Sequence, residues 1–195
     1  KKKIILSTGM SNLRNIQDTL ALYKKNHNQK VSLLHCVSNY PCSNSSLNLN
    51  SLEALKKFGY EVGFSDHSKD HLSSALAIAK GAKIIEKHIT LDNNFPGPDH
   101  KTSLNLRDFK EFLNQIKKTN IMLGSSQKRI QKEEKEMLKI SRKSPYYNGN
   151  FFKEKKIQKE NIIMLRPFTG FDFSDFKKII NKKLKKKFKK NQKIS

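Results

Sequence analysis

Four short apolar runs, rich in β-branched residues, recur along the first half of the chain, and a segment with helical spacing follows each of them. The runs begin at Ile4, Val31, Glu61 and Lys83, so successive starts lie 22 to 30 residues apart. This pitch is typical of consecutive βα units with parallel strands. Apolar periodicity predicts the four helices at residues 12–25, 49–58, 71–80 and 106–123. Four such units fit either half of an eight-stranded barrel or part of an open doubly wound sheet.

A short polar cluster closes each predicted strand. The four clusters are Ser7-Thr8, Ser38-Asn39-Tyr40, Ser65-Asp66-His67 and Glu86-Lys87-His88. In a barrel, the carboxyl ends of all strands converge on one face, where active sites form. An open sheet would offer a switch-point crevice, usually beside a glycine-rich phosphate loop, and the sequence has no GxGxxG or Walker pattern. We therefore expect an α/β fold in which residues 1–124 form the C-terminal half of a (β/α)8 TIM barrel.

Helical spacing also predicts which face of each helix is buried. In the third helix, Leu72, Ala75, Leu76 and Ala79 share one face, so we expect that face to pack on the sheet.

The sequence changes character after Gly124. Residues 125–143 are strongly charged and predict a helical linker. Short strand-like pieces then follow at residues 146–147, 151–152 and 162–165, separated by turns. We expect residues 144–195 to form a small, mostly β domain that is too short to be robust without a supporting surface.

The formal net charge of +23 raises the question of nucleic-acid binding. The basic residues are 35 Lys and only 5 Arg, whereas base readout and bidentate phosphate contacts favour Arg. The excess is also uneven, because residues 101–195 alone carry +18. A lysine-rich solvated surface explains this pattern, with adventitious polyanion binding as its consequence. We therefore expect no dedicated nucleic-acid binding.

Two further features bear on the location of the protein. No apolar run approaches the roughly 20 residues that a transmembrane helix needs, so we expect no membrane association. The two cysteines, Cys36 and Cys42, are too few for a disulfide framework and are typical of reduced thiols. We expect a cytoplasmic protein.

His67 and His88 follow neighbouring predicted strands. Adjacent parallel strands lie about 4.8 Å apart, so imidazoles at their carboxyl ends could meet on one ion. Neutral imidazole suits Mn²⁺, Fe²⁺, Co²⁺ or Zn²⁺, and two such ligands leave positions open for water and substrate. Backbone hydrogen bonds would satisfy many histidines in such places, but Asp66, Glu86 and Asp99 nearby favour the metal site. We predict a divalent metal at His67 and His88.

Lys87 has two interpretations. Strand alternation points it away from Glu86 and His88, toward the helices. It could be a Schiff-base lysine with a depressed pKa, or a lysine paired with a carboxylate between strand and helix, and we favour the pair. His35 lies inside a predicted strand, which indicates a packed core histidine.

The loop Asn94–His100 contains two prolines and a glycine, so it presents Asp99 in a defined place. At the active face of a barrel, Asp99 would bind a hydroxyl group or transfer a proton. Ser7, Ser38 and Ser65 offer hydroxyls for phosphate or carboxylate oxygens.

Five motifs, in this order and at these spacings, resemble those of the sialic acid synthases, a family that includes N-acetylneuraminate and legionaminate synthases. The motifs are Leu6–Met10, Leu34–Pro41, Gly63–His67, Ile85–His88 and Gly97–His100. The final segment, with Arg166-Pro167 and Thr169-Gly170, is similar to that family's antifreeze-like (SAF) domain. The resemblance covers nearly the whole chain.

The resemblance implies a condensation of phosphoenolpyruvate with an N-acylated mannosamine-type sugar to give a nine-carbon 2-keto acid, with a divalent metal, typically Mn²⁺, at His67 and His88. It implies catalytic roles for Asp99 and Ser65. The implied substrate-binding residues are Ser7 for phosphate, Ser65 and Ser38 for the phosphoenolpyruvate carboxylate, Tyr40 and Asp99 for the sugar, and Arg166 for its acyl group across a domain-swapped homodimer. The Gly97–His100 motif fits the neuraminate and legionaminate branches better than the pseudaminate one.

The family's four preceding βα units, with their catalytic glutamates and lysines, have no counterpart in this sequence. We therefore expect the chain to be the latter part of a longer protein and to be inactive alone. A non-catalytic sugar-binding or partner-binding remnant of the family is the alternative. A polyanion-binding protein is a third possibility, and it would show a steep salt dependence.

Overall fold

The computed structural model describes residues 3–26 and 30–194 of the chain. The contacts divide the chain into two compact units, and the division falls between Ser125 and Ser126, inside the predicted linker. Within the described residues, the first unit contains four strands and four α-helices. They are β1 (Ile4–Ser7), α1 (Leu13–Asn26), β2 (Val31–Cys36), α2 (Ser51–Lys56), β3 (Glu61–Asp66), α3 (Leu72–Ala79), β4 (Ile84–Lys87) and α4 (Leu106–Leu123).

The four strands form one parallel sheet in the order β1-β2-β3-β4. A helix connects each strand to the next, as parallel pairing requires. This is the parallel half-barrel that the sequence predicts. Strand β4 ends at Lys87, earlier than the predicted run, and beyond it Ile89 makes a single bridge to Leu104.

Strand alternation divides the sheet into two faces. Apolar residues such as Leu33, Val62 and Phe64 face the helices and pack with Leu52 and Leu55 of α2 in one core. The opposite face is the inner face of the half-barrel, and it carries Ser65 and Glu86 as well as the apolar Leu34 and Ile84. Gly63 belongs to it, since an added Cβ there would collide with the Leu34 side chain and the carbonyl oxygen of Ile84. Close approach of β2, β3 and β4 therefore requires glycine at this position.

The prediction for the buried face of α3 is wrong. Leu72 and Leu76 are 62% and 48% exposed, whereas Ser73, Ser74 and Ala77 face the sheet. The reason is a buried carboxylate, because the hydroxyls of Ser73 and Ser74 both donate to Asp66 at the end of β3. A polar partner under the helix has overridden the apolar periodicity.

The second unit contains α5 (Glu134–Ser141), β5 (Ser144–Tyr147), β6 (Ile162–Leu165) and the short α6 (Phe176–Ile179). Strands β5 and β6 pair antiparallel. A small core lies beside them, formed by Tyr147, Ile157, Leu184 and Ile194.

Two predictions for this unit need correction. The linker is helical in α5 but not over residues 125–133. Gly124, with a positive φ of 55°, ends α4 ahead of it. Residues 151–152 are not a strand, although Phe151 makes a single antiparallel bridge to Phe188. A second bridge joins Lys156 to Lys183, so the lysine-rich segment 182–190 lies against residues 151–156. The antifreeze-like identity of the unit stays a prediction.

Within the described residues, no helix has the length and apolar character needed to cross a membrane.

A matched pair of leucines tests the core of the first unit. Leu33 is 0% exposed and Leu22 is 63% exposed. We expect Leu33→Ala to lower the free energy of unfolding by about 2–5 kcal/mol, because it leaves a cavity between sheet and helices. Leu22→Ala should change it by about 0.5 kcal/mol or less. Urea denaturation measures both, and equal losses in the two variants would contradict the assigned faces.

Candidate metal and substrate site

The ends of β3 and β4 place two histidines side by side. Ser65 pairs with Glu86 and Asp66 with Lys87 in the register of the two strands, so His67 and His88 follow at the same level. Their ring centroids lie 5.2 Å apart, with the ring planes 84° to each other. The structure therefore brings together the two residues predicted as metal ligands.

Hydrogen bonds fix the orientation of His67. Its Nδ1 lies 2.9 Å from the carbonyl oxygen of Val37. Because a carbonyl oxygen only accepts, Nδ1 carries the proton and Nε2 keeps its lone pair free for a cation. The backbone is held as well, since the amide of Cys42 donates to the His67 carbonyl at 2.8 Å.

Tyr40 and Asp99 complete the cluster. The Tyr40 ring centroid lies 4.5 Å from that of His88 and 5.2 Å from that of His67. Asp99 Oδ2 lies 3.7 Å from Nδ1 of His88. Ser103 connects the two, because its hydroxyl donates to the Asp99 carbonyl at 2.7 Å and accepts from the Tyr40 hydroxyl at 3.4 Å. Four predicted site residues thus form one group.

The donor set fits a divalent ion. Two imidazoles suit first-row metals, and the His67 tautomer leaves a ring nitrogen free to bind one. No group of three or more His, Cys, Asp and Glu side chains could hold a metal ion in the described part of the chain. Two protein ligands alone would leave several coordination positions of an ion to water or substrate.

Ser65 is buried, and its hydroxyl donates to Glu86 Oε1 at 2.6 Å. Sequence reasoning counted Glu86 only among the carboxylates near the metal site and gave it no role of its own. The signal was available, since strand alternation puts Glu86 on the same face as His88, and pairing with β3 places it opposite Ser65. The inner face thus carries a carboxylate one step below the histidines.

Three further predicted residues are Ser7, Ser38 and Arg166. Ser7 is exposed at the end of β1, two strands from β3. Ser38 is exposed after β2, and its hydroxyl occupies the space that a Cβ on Gly9 would need. Arg166 belongs to the second unit, where its Nε donates to the Ser141 carbonyl at 2.7 Å.

Lys87 is paired with a carboxylate, as predicted. Its Nζ lies 3.3 Å from Asp66 Oδ2, and the two side chains are 3% and 0% exposed. His35 also matches its prediction as a packed histidine, with Nε2 2.8 Å from the Leu47 carbonyl and its ring stacked on Phe64.

Both cysteines are free and buried near the site. Burial, with Asp66 and Cys36 nearby, raises the pKa of the Cys42 thiol. Cys36 Sγ lies 4.0 Å from Nδ1 of His67. Cys42 is therefore held in the unreactive thiol form at neutral pH.

The chain is similar to proteins of one family. The profile of the NeuB family matches residues 1–128. The N,N'-diacetyllegionaminic acid synthase of Campylobacter jejuni is 37% identical over 196 residues, which cover 99% of this chain and 59% of that protein. The chain spans between 53% and 59% of the length of three curated relatives that it matches.

Two solved structures extend the comparison. The N-acetylneuraminic acid (sialic acid) synthetase of Leptospira borgpetersenii, in complex with citrate, is 34% identical and has a TM-score of 0.62 over 69% of this chain and 47% of that one. The match to a spore coat polysaccharide biosynthesis protein E from Chromobacterium violaceum covers 99% of this chain and 59% of that chain, with a TM-score of 0.82. At 20% identity, that second likeness concerns the fold alone.

Lys87 provides a test of the site's chemistry. A Schiff base needs an accessible neutral amine, whereas Lys87 is buried as the partner of Asp66. We expect incubation with pyruvate and borohydride to leave Lys87 unmodified in peptide mass spectra, while exposed lysines set the background level. A reduced pyruvate adduct at Lys87 above that background would contradict the ion-pair assignment.

Proposed function

Because the chain belongs to the NeuB family, as its motifs predicted, we propose that it is the latter part of a synthase that condenses phosphoenolpyruvate with an N-acylated mannosamine-type sugar. The observation that carries this proposal is the pair of histidines at the carboxyl ends of β3 and β4. The ring centroids of His67 and His88 lie 5.2 Å apart, and Tyr40 and Asp99 lie against them. Active sites of (β/α)8 barrels form at this face.

His67 and His88 would hold a divalent ion, for which we propose Mn²⁺. When bound there, the ion would act as a Lewis acid on the aldehyde oxygen of the open-chain sugar. Tyr40 covers one side of the two imidazoles and would exclude water from that side. Asp99 stands at the rim, where its free carboxylate oxygen can accept a hydrogen bond from a sugar hydroxyl.

Ser65 and Glu86 form the polar floor below the histidines. A hydroxyl bonded to a carboxylate can turn to donate to another anion, so we propose that Ser65 contacts the phosphoenolpyruvate carboxylate and is catalytic together with Asp99. Glu86 would then be free to accept a proton or a hydrogen bond from water. Ser7 and Ser38 at the ends of β1 and β2 would bind phosphate and carboxylate oxygens.

The remaining proposals concern the second unit and the assembly. We propose that residues 144–195 form an antifreeze-like domain. In a domain-swapped homodimer, Arg166 of this domain would contact the acyl group of the sugar that the partner subunit binds. The sugar belongs to the neuraminate or legionaminate branch in this proposal. A cytoplasmic location and inactivity of the isolated chain also stay predictions.

Metal binding by the isolated chain tests the site directly. We expect His67→Ala and His88→Ala each to weaken Mn²⁺ binding by at least about tenfold, since each removes one of two ligands. His71→Ala is the matched control, because His71 contacts Phe112 and lies outside the cluster. Titration followed by electron paramagnetic resonance measures all three. Equal affinity in the wild type and in both site variants would refute the metal assignment.

Complementation tests the reaction. We expect the chain alone to release no phosphate from phosphoenolpyruvate and N-acetylmannosamine or its 4-acetamido-6-deoxy relative. Release should appear when the part of the C. jejuni relative outside the match is added, and His67→Ala should abolish it. Mn²⁺ binding without any restored turnover would favour the non-catalytic remnant.

The high positive net charge allows a separate test of polyanion binding. Tight binding to heparin with a steep salt dependence, kept in both histidine variants and lost on removal of residues 177–193, would favour the polyanion-binding function.

A further inference from the structure

A buried ion pair lies directly behind the two histidines. Asp66 precedes His67 and Lys87 precedes His88, and the two residues are partners in the register of β3 and β4. Their side chains point to the helix side of the sheet and are 0% and 3% exposed. Elsewhere on that side the sheet presents apolar residues such as Val62 and Phe64. The charges are therefore an exception confined to the last step before the histidines.

Asp66 is fully hydrogen-bonded. Its Oδ1 accepts from the amide of Ser68 at 2.8 Å. Its Oδ2 accepts from the hydroxyls of Ser73 at 2.7 Å and Ser74 at 2.5 Å, and it faces Lys87 Nζ. The carboxylate thus joins β3 to the first turn of α3 and to β4.

The same network encloses the backbone of His67. Lys87 Nζ donates to the carbonyl oxygen of Ser68, and the Ser68 amide donates to Asp66. The residues on both sides of His67 are therefore tied to the strand that carries His88. A shift of His67 relative to His88 would break these buried polar contacts, and unpaired buried charges are costly.

Stability alone is a poor explanation of this pair. Replacing a buried ion pair by apolar residues of similar volume is often neutral or stabilising, because desolvation of the charges offsets their attraction. In some proteins such a pair instead fixes one geometry between the elements that it joins. Residues that orient metal ligands from behind commonly change metal affinity by 10- to 100-fold when they are removed.

We propose that Asp66, Ser68 and Lys87 form a positioning clamp that fixes the spacing and the relative orientation of the His67 and His88 imidazoles. The inference deepens the proposed function, on which its consequence for metal affinity rests. The ring geometry itself does not require a metal, so it can be measured separately.

The variant that tests the clamp is Asp66→Asn combined with Lys87→Met. It removes both charges together, and the asparagine side chain keeps an oxygen for the Ser68 amide. The control is Ser73→Ala combined with Ser74→Ala, which weakens the same network on the α3 side and leaves the ion pair in place. Two readouts apply to the folded proteins: the ring-to-ring nuclear Overhauser effects between His67 and His88 without metal, and the Mn²⁺ dissociation constant.

We expect the Asp66→Asn/Lys87→Met protein to lose the ring-to-ring effects and to bind Mn²⁺ about 10- to 100-fold more weakly. In the serine control, the ring-to-ring effects should persist and the Mn²⁺ dissociation constant should stay within about threefold, even where the thermal midpoint falls. A purely structural role would instead make the ring contacts and the affinity fall together with the thermal midpoint. Unchanged ring contacts and affinity in the folded double variant would overturn the proposal.

Lys87→Gln provides a second, smaller change, because glutamine keeps a donor for Ser68 without the charge. Should the first variant fail to fold, a Lys87→Gln protein with wild-type ring contacts would overturn the clamp, and weakened contacts would support it. If the wild type binds no Mn²⁺, the proposed metal function fails, whereas the ring contacts still decide whether the clamp exists.

Discussion

The parallel pairing of β3 with β4 is the constraint on which the rest of the site depends. Its register sets Ser65 opposite Glu86 and Asp66 opposite Lys87, so that His67 and His88 leave the sheet together. Gly63 makes the pairing possible, because any side chain there would strike the backbone of β4. A shift of one residue would exchange the two faces of β4 and separate the imidazoles. The spacing of the two imidazoles therefore depends on the register of β3 and β4.

Alternation along these two strands then separates two kinds of polar chemistry. The inner face receives Ser65, Glu86 and the histidines, which belong to the proposed site. The helix side receives Asp66 and Lys87, which are satisfied entirely by neighbouring protein groups. In each motif of three polar residues, the outer two thus face the proposed site, and the middle one bonds to protein groups on the helix side.

Much of this arrangement could be predicted from the sequence. Periodicity predicted the four parallel strands and the bounds of α4. The polar strand ends predicted that Tyr40, His67 and His88 share one face, and the loop Asn94–His100 predicted a defined place for Asp99 there. The inward face of α3 could not be predicted, because its two serines donate hydrogen bonds to Asp66, a carboxylate on β3. The hydrogen bond between Ser65 and Glu86 depends likewise on a register that one strand's sequence does not contain.

We propose that this half-barrel presents two histidines to one divalent ion. Electron spin-echo envelope modulation of Mn²⁺ bound to the chain tests it most directly, because it detects the nitrogen nuclei that coordinate the ion. We expect modulation from two imidazole nitrogens, reduced to one in His67→Ala and in His88→Ala. Bound Mn²⁺ without imidazole modulation in the wild type would contradict the claim, even if the affinity were high.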